Sequence, residues 1–308
     1  LAEDRTRSEC RAFFAPSNTM PESLPVYLQV IVGGLLLGAL YALLASGLNL
    51  IFGVLRVINI CHGELMMLGA YAAFGLFALW NVHPLLSIPI TFALLFLLGI
   101  AIEKTLVERV AGAPELSSLL LTFGIGIFLT SAAMNVFKAD FRSVPALTGS
   151  ILLWEIALPR ARLASFVTAL VITGGAYLFL KRTRAGKAIR AASQNAVVAE
   201  TCGIDVARVR LFAYALGAGM AGAAGNLIAL SYSFNPEVGH VFNLKAFAII
   251  VLGGMGNFAG AFWGGLLLGV VEGLTGYIAT AQVVDAVAYI LMLLFLLFRP
   301  SGLMGTAK

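Results

Sequence analysis

The stretch LKAFAIIVLGGMGNFAGAFWGGLLLGVVEGL, residues 244–274, decides how this chain folds. It is apolar along nearly its whole length, and as one α-helix it would extend about 45 Å at about 1.5 Å per residue. The hydrocarbon core of a bilayer is only about 30 Å thick. The run GGMGN at 253–257 interrupts the stretch. Because non-helical backbone is tolerated at membrane depth only where it is buried in protein or lines a cavity, we interpret 244–274 as a short or re-entrant broken helix.

The whole chain has the composition of a membrane protein. Of its 308 residues, 60% are hydrophobic and 11% are charged, and the mean hydropathy is +0.96. A soluble domain has about 45–50% apolar and about 25% charged residues. The net charge of +5 does not indicate nucleic-acid binding, because the charges cluster at the ends of apolar blocks, as the positive-inside bias predicts. The composition therefore predicts an integral membrane protein and excludes a soluble enzyme.

Apolar blocks of spanning length recur along the chain, since a helix needs about 20 apolar residues to cross a bilayer. The predicted spans are 27–52, 64–80, 84–102, 116–137, 164–180, 211–231, 244–274 and 283–298. The segment 51–63 is too short for a span and is punctuated by Arg56, Asn59 and His62, so we also interpret it as a short or re-entrant helix. The predicted fold class is all-α: a polytopic transmembrane bundle of about eight spans with short or re-entrant broken helices.

The charge distribution also predicts an orientation. Segment 181–210 is rich in lysine and arginine, which marks it as cytoplasmic, and Arg299 and Lys308 place the C-terminus on the same side. An even number of crossings must then separate the two, which requires a break within 244–274. We expect one membrane domain over 20–308, preceded by a disordered or spurious extension over 1–19, where the sequence is polar and charged.

The segment 57–71 carries polar groups inside an apolar context. Asn59, His62 and Glu64 fall within six residues, beside Gly63, which can turn the chain. Ionisable groups at membrane depth usually face a pathway or a partner, so these four residues are candidates for lining a substrate pathway. A structural alternative is that Glu64 lies favourably at a helix N-terminus while His62 hydrogen-bonds to backbone.

The interruption at 253–257 offers a second set of candidates, Gly253, Gly254, Gly256 and Asn257. A broken helix exposes N–H and C=O groups that can bind a polar solute or pair with neighbouring segments. The alternative is a plain tight turn without a ligand.

The segment 186–205 within the polar region predicts a short amphipathic helix that ends near Gly203. Such a helix between membrane spans is a natural contact for another protein. The alternative is a solvated connector held to lipid headgroups by its basic side chains.

In three places the sequence resembles the membrane-permease subunits of the branched-chain amino acid family of ABC transporters. The matching motifs are Asn-x-x-His-Gly-Glu-x-x-x-Leu-Gly-Ala-Tyr at 59–71, Arg-Ala-x-x-x-Asn…Gly-Ile at 190–204 and Leu-Gly-Gly-Met-Gly-Asn-Phe-x-Gly-Ala at 252–261. Their order and spacing agree with the family, and the resemblance covers about residues 20–305. Cys61 departs from the small residue, often alanine, that is more usual before this histidine, which bears on what packs there.

The resemblance implies a subunit of an importer in the bacterial inner membrane for branched-chain or other amino acids, urea or short amides. Its implied partners are a second homologous permease, two cytoplasmic ATPase subunits and an external solute-binding protein. The chain has no G-x-x-x-x-G-K-[ST] motif, so we expect no ATPase activity of its own and no cofactor in this chain, with ATP-Mg bound by the partner subunits. Segment 186–205 then becomes the candidate element that couples to the ATPase. Its candidate residues are Arg190, Asn195, Glu200, Gly203, Ile204 and Asp205.

Two other classes of function compete with this prediction. An ion-coupled secondary transporter would need carboxylates inside the bundle, and Glu64, Glu272 and Asp285 are the candidates, all expected near span ends. A membrane enzyme would need paired aspartates or a nucleophile with a base, and the four aspartates are scattered. Cys10, Cys61 and Cys202 show no spacing typical of disulfides or zinc ligation, so no metal site is predicted.

Overall fold

The computed structural model describes residues 24–110, 112–153, 156–299 and 301–304, and the predicted extension 1–19 lies outside them. The described helices are α1 (Leu24–Leu55), α2 (His62–Trp80), α3 (Pro84–Ile102), α4 (Glu115–Phe137), α5 (Arg160–Arg182), α6 (Arg184–Gln194), α7 (Ala196–Thr201), α8 (Val206–Ser231), α9 (Val238–Gly253), α10 (Phe258–Ile278) and α11 (Ala281–Phe298). A π-helical turn, Glu103–Val107, and a last turn, Glu108–Val110, extend α3. Strands β1 (Ser150–Leu153) and β2 (Ile156–Pro159) form an antiparallel hairpin before α5.

The predicted fold class is confirmed. Seven helices of the described ranges, namely α1 to α5, α8 and α10, are long and apolar enough to cross a membrane, and α9 and α11 are shorter apolar helices. Large apolar side chains such as Leu97, Phe128, Val171 and Leu293 are exposed on α3, α4, α5 and α11. Because an exposed apolar surface of this extent is not found on water-soluble monomers, the bundle is a multi-pass membrane protein with lipid or protein around it.

Polar residues between the apolar blocks cap the N-termini of several helices. At four helix starts one side-chain oxygen accepts a backbone N–H in the first turn, and the residues are Thr183 before α6, Asn195 before α7, Asp205 before α8 and Asn257 before α10. Each such cap satisfies one of the N–H groups that a helix N-terminus leaves unpaired.

Small residues at the helix contacts allow the helices of the bundle to pack closely, as is common in membrane proteins. Helices α1 and α10 run antiparallel, and a Cβ added to Gly34 would lie 2.6 Å from the Gly269 carbonyl oxygen. At the crossing of α1 and α8, a Cβ on Gly217 would lie 2.7 Å from the Gly47 oxygen. Helix α8 is buried over most of 213–230 and forms the centre of the bundle.

The predicted interruption within 244–274 is confirmed, because α9 and α10 are separate helices joined through residues 254–257, here called the second break. The prediction for 51–63 is wrong: the segment is not a short helix. Helix α1 continues to Leu55, and residues 56–61, here called the first break, are non-helical. Arg56 has φ +54°, which ends the right-handed helix, and the β-branched residues that follow favour extended backbone.

The bundle has two distinguishable ends. Lys181, Arg190, Gly256 and Met304 line one cavity, so segment 181–210, the second break and the C-terminal residues meet at one end, here called the basic end. The opposite end carries the β1–β2 hairpin and is called the hairpin end. Four helices, α8 to α11, separate segment 181–210 from the C-terminal residues, which is the even number that the charge distribution requires. That the basic end is cytoplasmic stays a prediction.

Candidate functional site

The first break is held from two sides by hydrogen bonds to its backbone. From α4, the buried Thr122 hydroxyl donates to the Ile58 carbonyl at 3.1 Å and accepts the Ile60 N–H at 3.3 Å. From α9, the Asn243 amide donates to the Ile60 carbonyl and its Oδ1 accepts the Gly63 N–H at 3.2 Å. These bonds satisfy non-helical backbone groups that would otherwise be costly inside a membrane.

Glu64 lies in the first turn of α2 and is 1% exposed. Its Oε1 is 3.0 Å from Nδ1 of His240 in α9, and the His240 side chain is 47% exposed. The N-terminus of α2 supplies partial positive charge beside the carboxylate, so the position agrees with the helix-terminus alternative. The contact with His240 adds a second role, because it connects a buried carboxyl group to a partly exposed imidazole.

His62, Gly63 and Asn59 face the protein interior. His62 is fully buried, and its Nε2 lies 3.1 Å from the Leu44 carbonyl oxygen of α1, as the structural alternative for this residue predicts. Gly63 packs against the Gly239 backbone, which leaves no room for a Cβ. The Cys61 thiol donates to Asn59 Oδ1 at 3.0 Å, so the cysteine that departs from the family motif supports Asn59. Their role as pathway residues stays a prediction.

The second break is closed by hydrogen bonds within the chain. The Gly256 N–H donates to Asn49 Oδ1 at 2.6 Å, and Asn49 Nδ2 donates to the Asn257 carbonyl at 2.6 Å. Asn257 in turn caps α10 through the Gly260 N–H at 3.1 Å. Gly254 and Gly256 have φ values of +103° and +82°, which side chains rarely tolerate.

The C-terminal residues complete the second break. The Leu303 N–H donates to the Leu252 carbonyl at 2.8 Å, and the Asn257 amide donates to the Met304 carbonyl at 2.7 Å. Gly253 packs so tightly on the Gly260 backbone that a Cβ would overlap it. The backbone groups of this break are thus paired largely within the protein. A solute-binding role for Gly253, Gly254, Gly256 and Asn257 stays a prediction.

The structure keeps the two sets of candidates apart along α1. His62 lies against Leu44, whereas the second break contacts Asn49 and Gly53 nearer the end of the helix. A cavity of about 490 Å³ opens beside the second break at the basic end. A cavity of about 600 Å³ lies at the hairpin end, where the Arg162 guanidinium lies 4.8 Å from the centre of the Tyr232 ring.

The coupling candidates lie on two helices where one was predicted. Asn195 ends α6 and caps α7 by accepting the Val198 N–H at 3.2 Å, so the backbone turns there. The predicted end near Gly203 is confirmed, because α7 ends at Thr201 and Gly203 has φ +81°. Arg190 and Glu200 are exposed.

Ile204 and Asp205 complete this segment before α8. Ile204 packs partly against the apolar cluster under α6, and Asp205 caps α8 and forms a 2.8 Å ion pair with Arg208. The ATPase-coupling role of the segment stays a prediction.

The sequence brought out Glu272 and Asp285 singly but not the largely buried charge cluster that they form with side chains of α1 and α9. Lys245 Nζ lies 3.0 Å from Glu272 Oε1 and 3.1 Å from Asp285 Oδ1, and the Tyr41 hydroxyl donates to Glu272 at 2.7 Å. Glu272 is buried and lies within α10. The expectation from the sequence that it lies near a span end is wrong. A lysine inside an apolar block was the available signal.

His240 and Asn243 were missed as well. They are two polar residues three positions apart in the otherwise largely apolar helix α9, a pattern that could have been noticed. Asn49 gave no comparable signal, because it is a single amide within a long apolar helix.

The fold and the buried polar contacts define a multi-pass helical membrane protein with interrupted helices in its interior. The model of the family described as "Branched-chain amino acid transport system / permease component" matches residues 30–296. This chain belongs to that family.

Three named relatives extend over nearly the whole chain. It is 34% identical over 301 residues to the high-affinity branched-chain amino acid transport system permease protein BraD of Pseudomonas aeruginosa, covering 93% of this chain and 98% of BraD. It is 30% identical to the permease protein LivH of Escherichia coli K12, with the same coverage. It is 31% identical over 300 residues to a probable LivH of Methanocaldococcus jannaschii, covering 90% of this chain and 92% of that protein. No solved structure matches the chain.

Proposed function

We propose that this chain is the transmembrane permease subunit of an ABC importer that moves branched-chain or other amino acids, or urea and short amides, across the bacterial inner membrane. The observation that carries the proposal is the family match along residues 30–296, which includes the helices of the bundle. Relatives that align over nine-tenths or more of this chain are named as permeases for branched-chain amino acids.

The energy for transport comes from other subunits in this proposal. The sequence lacks the phosphate-binding motif that places a lysine and a hydroxyl at ATP-Mg. The chain therefore acts as a permease without an ATPase site of its own. Its partners are a second homologous permease, two cytoplasmic ATPase subunits that bind ATP-Mg and an external solute-binding protein.

The arrangement at the basic end supports a coupling role for segment 186–205. Val197 and Val198 of α7 are 71% and 54% exposed, which is unusual in a polar segment and suits contact with another protein. Ile189 and Ala192 of α6 are buried in a cluster with Leu50 of α1. A push on α7 is therefore transmitted through α6 to the end of α1, beside the second break.

The interior supports alternating access along α1. Cavities lie near both ends of this helix. The start of α2, where Glu64 meets His240, lies between them, because His62 contacts Leu44 of α1. Transport then consists of a population shift between states open to one end and to the other.

The buried carboxylates argue against an ion-coupled secondary transporter. Glu64 is paired with His240, and Glu272 is paired with Lys245. A carboxylate that already has a cationic partner is a poor ligand for a coupling ion, because the partner must first be displaced. Among the carboxylates raised for that alternative, Asp285 is 53% exposed but also contacts Lys245.

The test is uptake of radiolabelled leucine into vesicles that contain this permease with its partner permease, ATPase subunits and binding protein. We expect uptake only when ATP is enclosed on the ATPase side and all subunits are present. Uptake by this chain alone, driven by a proton or sodium gradient, would overturn the proposal. Replacing leucine with isoleucine, urea and acetamide in the same vesicles identifies the substrate class.

A further inference from the structure

One face of α9 is exposed and combines a titratable side chain with aliphatic ones. His240, Val241 and Leu244 follow the spacing i, i+1 and i+4, which places all three within about 100° of the helix circumference. Their exposed fractions are 47%, 42% and 54%. The opposite face of α9 is buried and carries Gly239, Asn243 and Ala246.

This face lies halfway through the bundle. Glu64, the ion-pair partner of His240, is next to Gly126, where an added Cβ would be 3.5 Å from the carboxyl carbon. Gly126 is the middle residue of α4 (Glu115–Phe137), which is long enough to span the membrane. An imidazole that is half exposed at this depth is costly against lipid and belongs on a water-filled route or against a polar partner.

Glu64 fixes which ring nitrogen of His240 is available. The carboxyl group is buried, and its Oε1 lies 3.0 Å from Nδ1 of His240. Because Nδ1 faces Glu64, Nε2 is the ring nitrogen that remains for a solute. Nε2 donates only when both ring nitrogens carry a proton, which is the state that the inference requires.

We infer that His240 binds the carboxylate of an amino acid during its passage, while Val241 and Leu244 contact the aliphatic side chain. A charge-assisted hydrogen bond from Nε2–H suits a carboxylate, and the two neighbouring side chains suit a branched aliphatic group. This inference rests on the proposed function, since it names how that pathway recognises its substrate. Glu64 acts through His240 as a positioning residue.

The first experiment asks whether His240 faces water. In a chain whose three cysteines are replaced, His240→Cys is compared with Val171→Cys, and each is exposed to a membrane-impermeant thiol reagent in the complete transporter. Val171 is the matched control, because it is the middle residue of α5 and is 67% exposed. We expect labelling at position 240 to depend on whether nucleotide is bound to the ATPases, and none at position 171. If position 240 stays unlabelled in every nucleotide state, the inference is wrong.

The second experiment asks whether the positive charge is needed. With saturating binding protein and ATP, we expect His240→Gln to lower the initial rate of leucine uptake at least tenfold, and His240→Arg to retain a substantial part of it. The double variant Glu64→Gln with His240→Gln removes the unpaired buried carboxylate, so it folds as wild type but transports as slowly as His240→Gln alone. Normal uptake in His240→Gln or in the double variant would contradict the inference.

The two proposals fail in different ways. If wild-type vesicles show no ATP-driven uptake of any amino acid, urea or short amide, the proposed function itself is wrong. If they take up urea or an amide but no amino acid, the role inferred for His240 is wrong. If wild type transports leucine and His240→Gln does so equally well, only the role of His240 is refuted.

Discussion

The first break and the second break interrupt the bundle in the same way, but their surroundings differ. In each, one buried asparagine donates to a carbonyl and accepts an N–H across the interruption, Asn243 at the first and Asn49 at the second. The first break also borders the ion pair of Glu64 with the half-exposed His240. The second is closed by the C-terminal residues and lies beside α6.

This difference separates two roles that the sequence presents alike. A break with a charged group reaching an exposed surface is suited to contact with a solute. A break whose polar groups are paired within the chain, next to the helix α6 that relays contact from α7 in our proposal, is suited to transmit motion. We therefore expect substitutions at the second break to lower the free energy of unfolding most, and substitutions at the first break to lower the rate of transport most.

The largest expected effect is at Gly253. Gly253→Ala would drive a Cβ into the Gly260 backbone, and neither helix can move away because Asn49 and the C-terminal residues hold the break. We expect a loss of about 3 kcal/mol in the free energy of unfolding, seen as a lower unfolding midpoint of the purified protein in detergent.

Gly174→Ala is the matched control for that substitution, since an added Cβ there meets nothing within 4 Å. Alanine favours the helix over glycine by about 0.5–1 kcal/mol, so this variant should be at least as stable as wild type. Equal stability of the two variants would show that the α9–α10 contact is not as close as described.

A smaller loss is expected from the two asparagines. Asn243→Ala leaves the buried Gly63 N–H and the part-buried Ile60 carbonyl unpaired. Asn49→Ala leaves the part-buried pairing of the Gly256 N–H and the Asn257 carbonyl unmade. Each substitution costs up to about 2 kcal/mol. Their effects on unfolding should be similar, whereas ATP-driven uptake per folded transporter should fall further for Asn243→Ala, because it borders Glu64 and His240.

Asn135→Ala serves as the comparison for both. Its amide is exposed and donates to the Ser131 carbonyl within one helix, so its removal should change stability by less than about 0.5 kcal/mol. If Asn243→Ala is as harmless as Asn135→Ala, the first break is not held by this side chain.

The smallest effect on stability is expected in α7. Glu200 is exposed, so Glu200→Lys should change the free energy of unfolding by less than about 0.5 kcal/mol. In our proposal it faces the ATPase, and we expect less ATPase to copurify with the variant and slower uptake. Asp140→Lys, a charge reversal at an exposed carboxylate outside segment 181–210, should leave copurification unchanged.

Gly203→Pro tests the same segment through the backbone. Proline fixes φ near −65°, whereas Gly203 has φ +81°, so α7 and α8 would be joined at a different angle. Uptake should fall while membrane insertion is retained. Normal copurification and uptake in both Glu200→Lys and Gly203→Pro would remove α7 from the coupling mechanism.

The sequence by itself determined the membrane environment, the helical class, an interruption within 253–257 and the end of α7 near Gly203. These depend on local properties: apolar run length against bilayer thickness, and glycine where φ is positive. The sequence also identified Glu64 as a candidate site residue, because a carboxylate within an apolar block can be recognised without a structure.

Tertiary structure alone decided which polar groups meet. Glu64 and His240 are far apart in the chain, as are Asn49 and Gly256, and their pairing follows from close crossings such as Gly63 on Gly239. The non-helical path of residues 56–61 also depends on Thr122 and Asn243 from other helices. Long-range hydrogen bonds compensate locally unfavourable backbone, and spacing along one chain segment cannot reveal partners supplied by another.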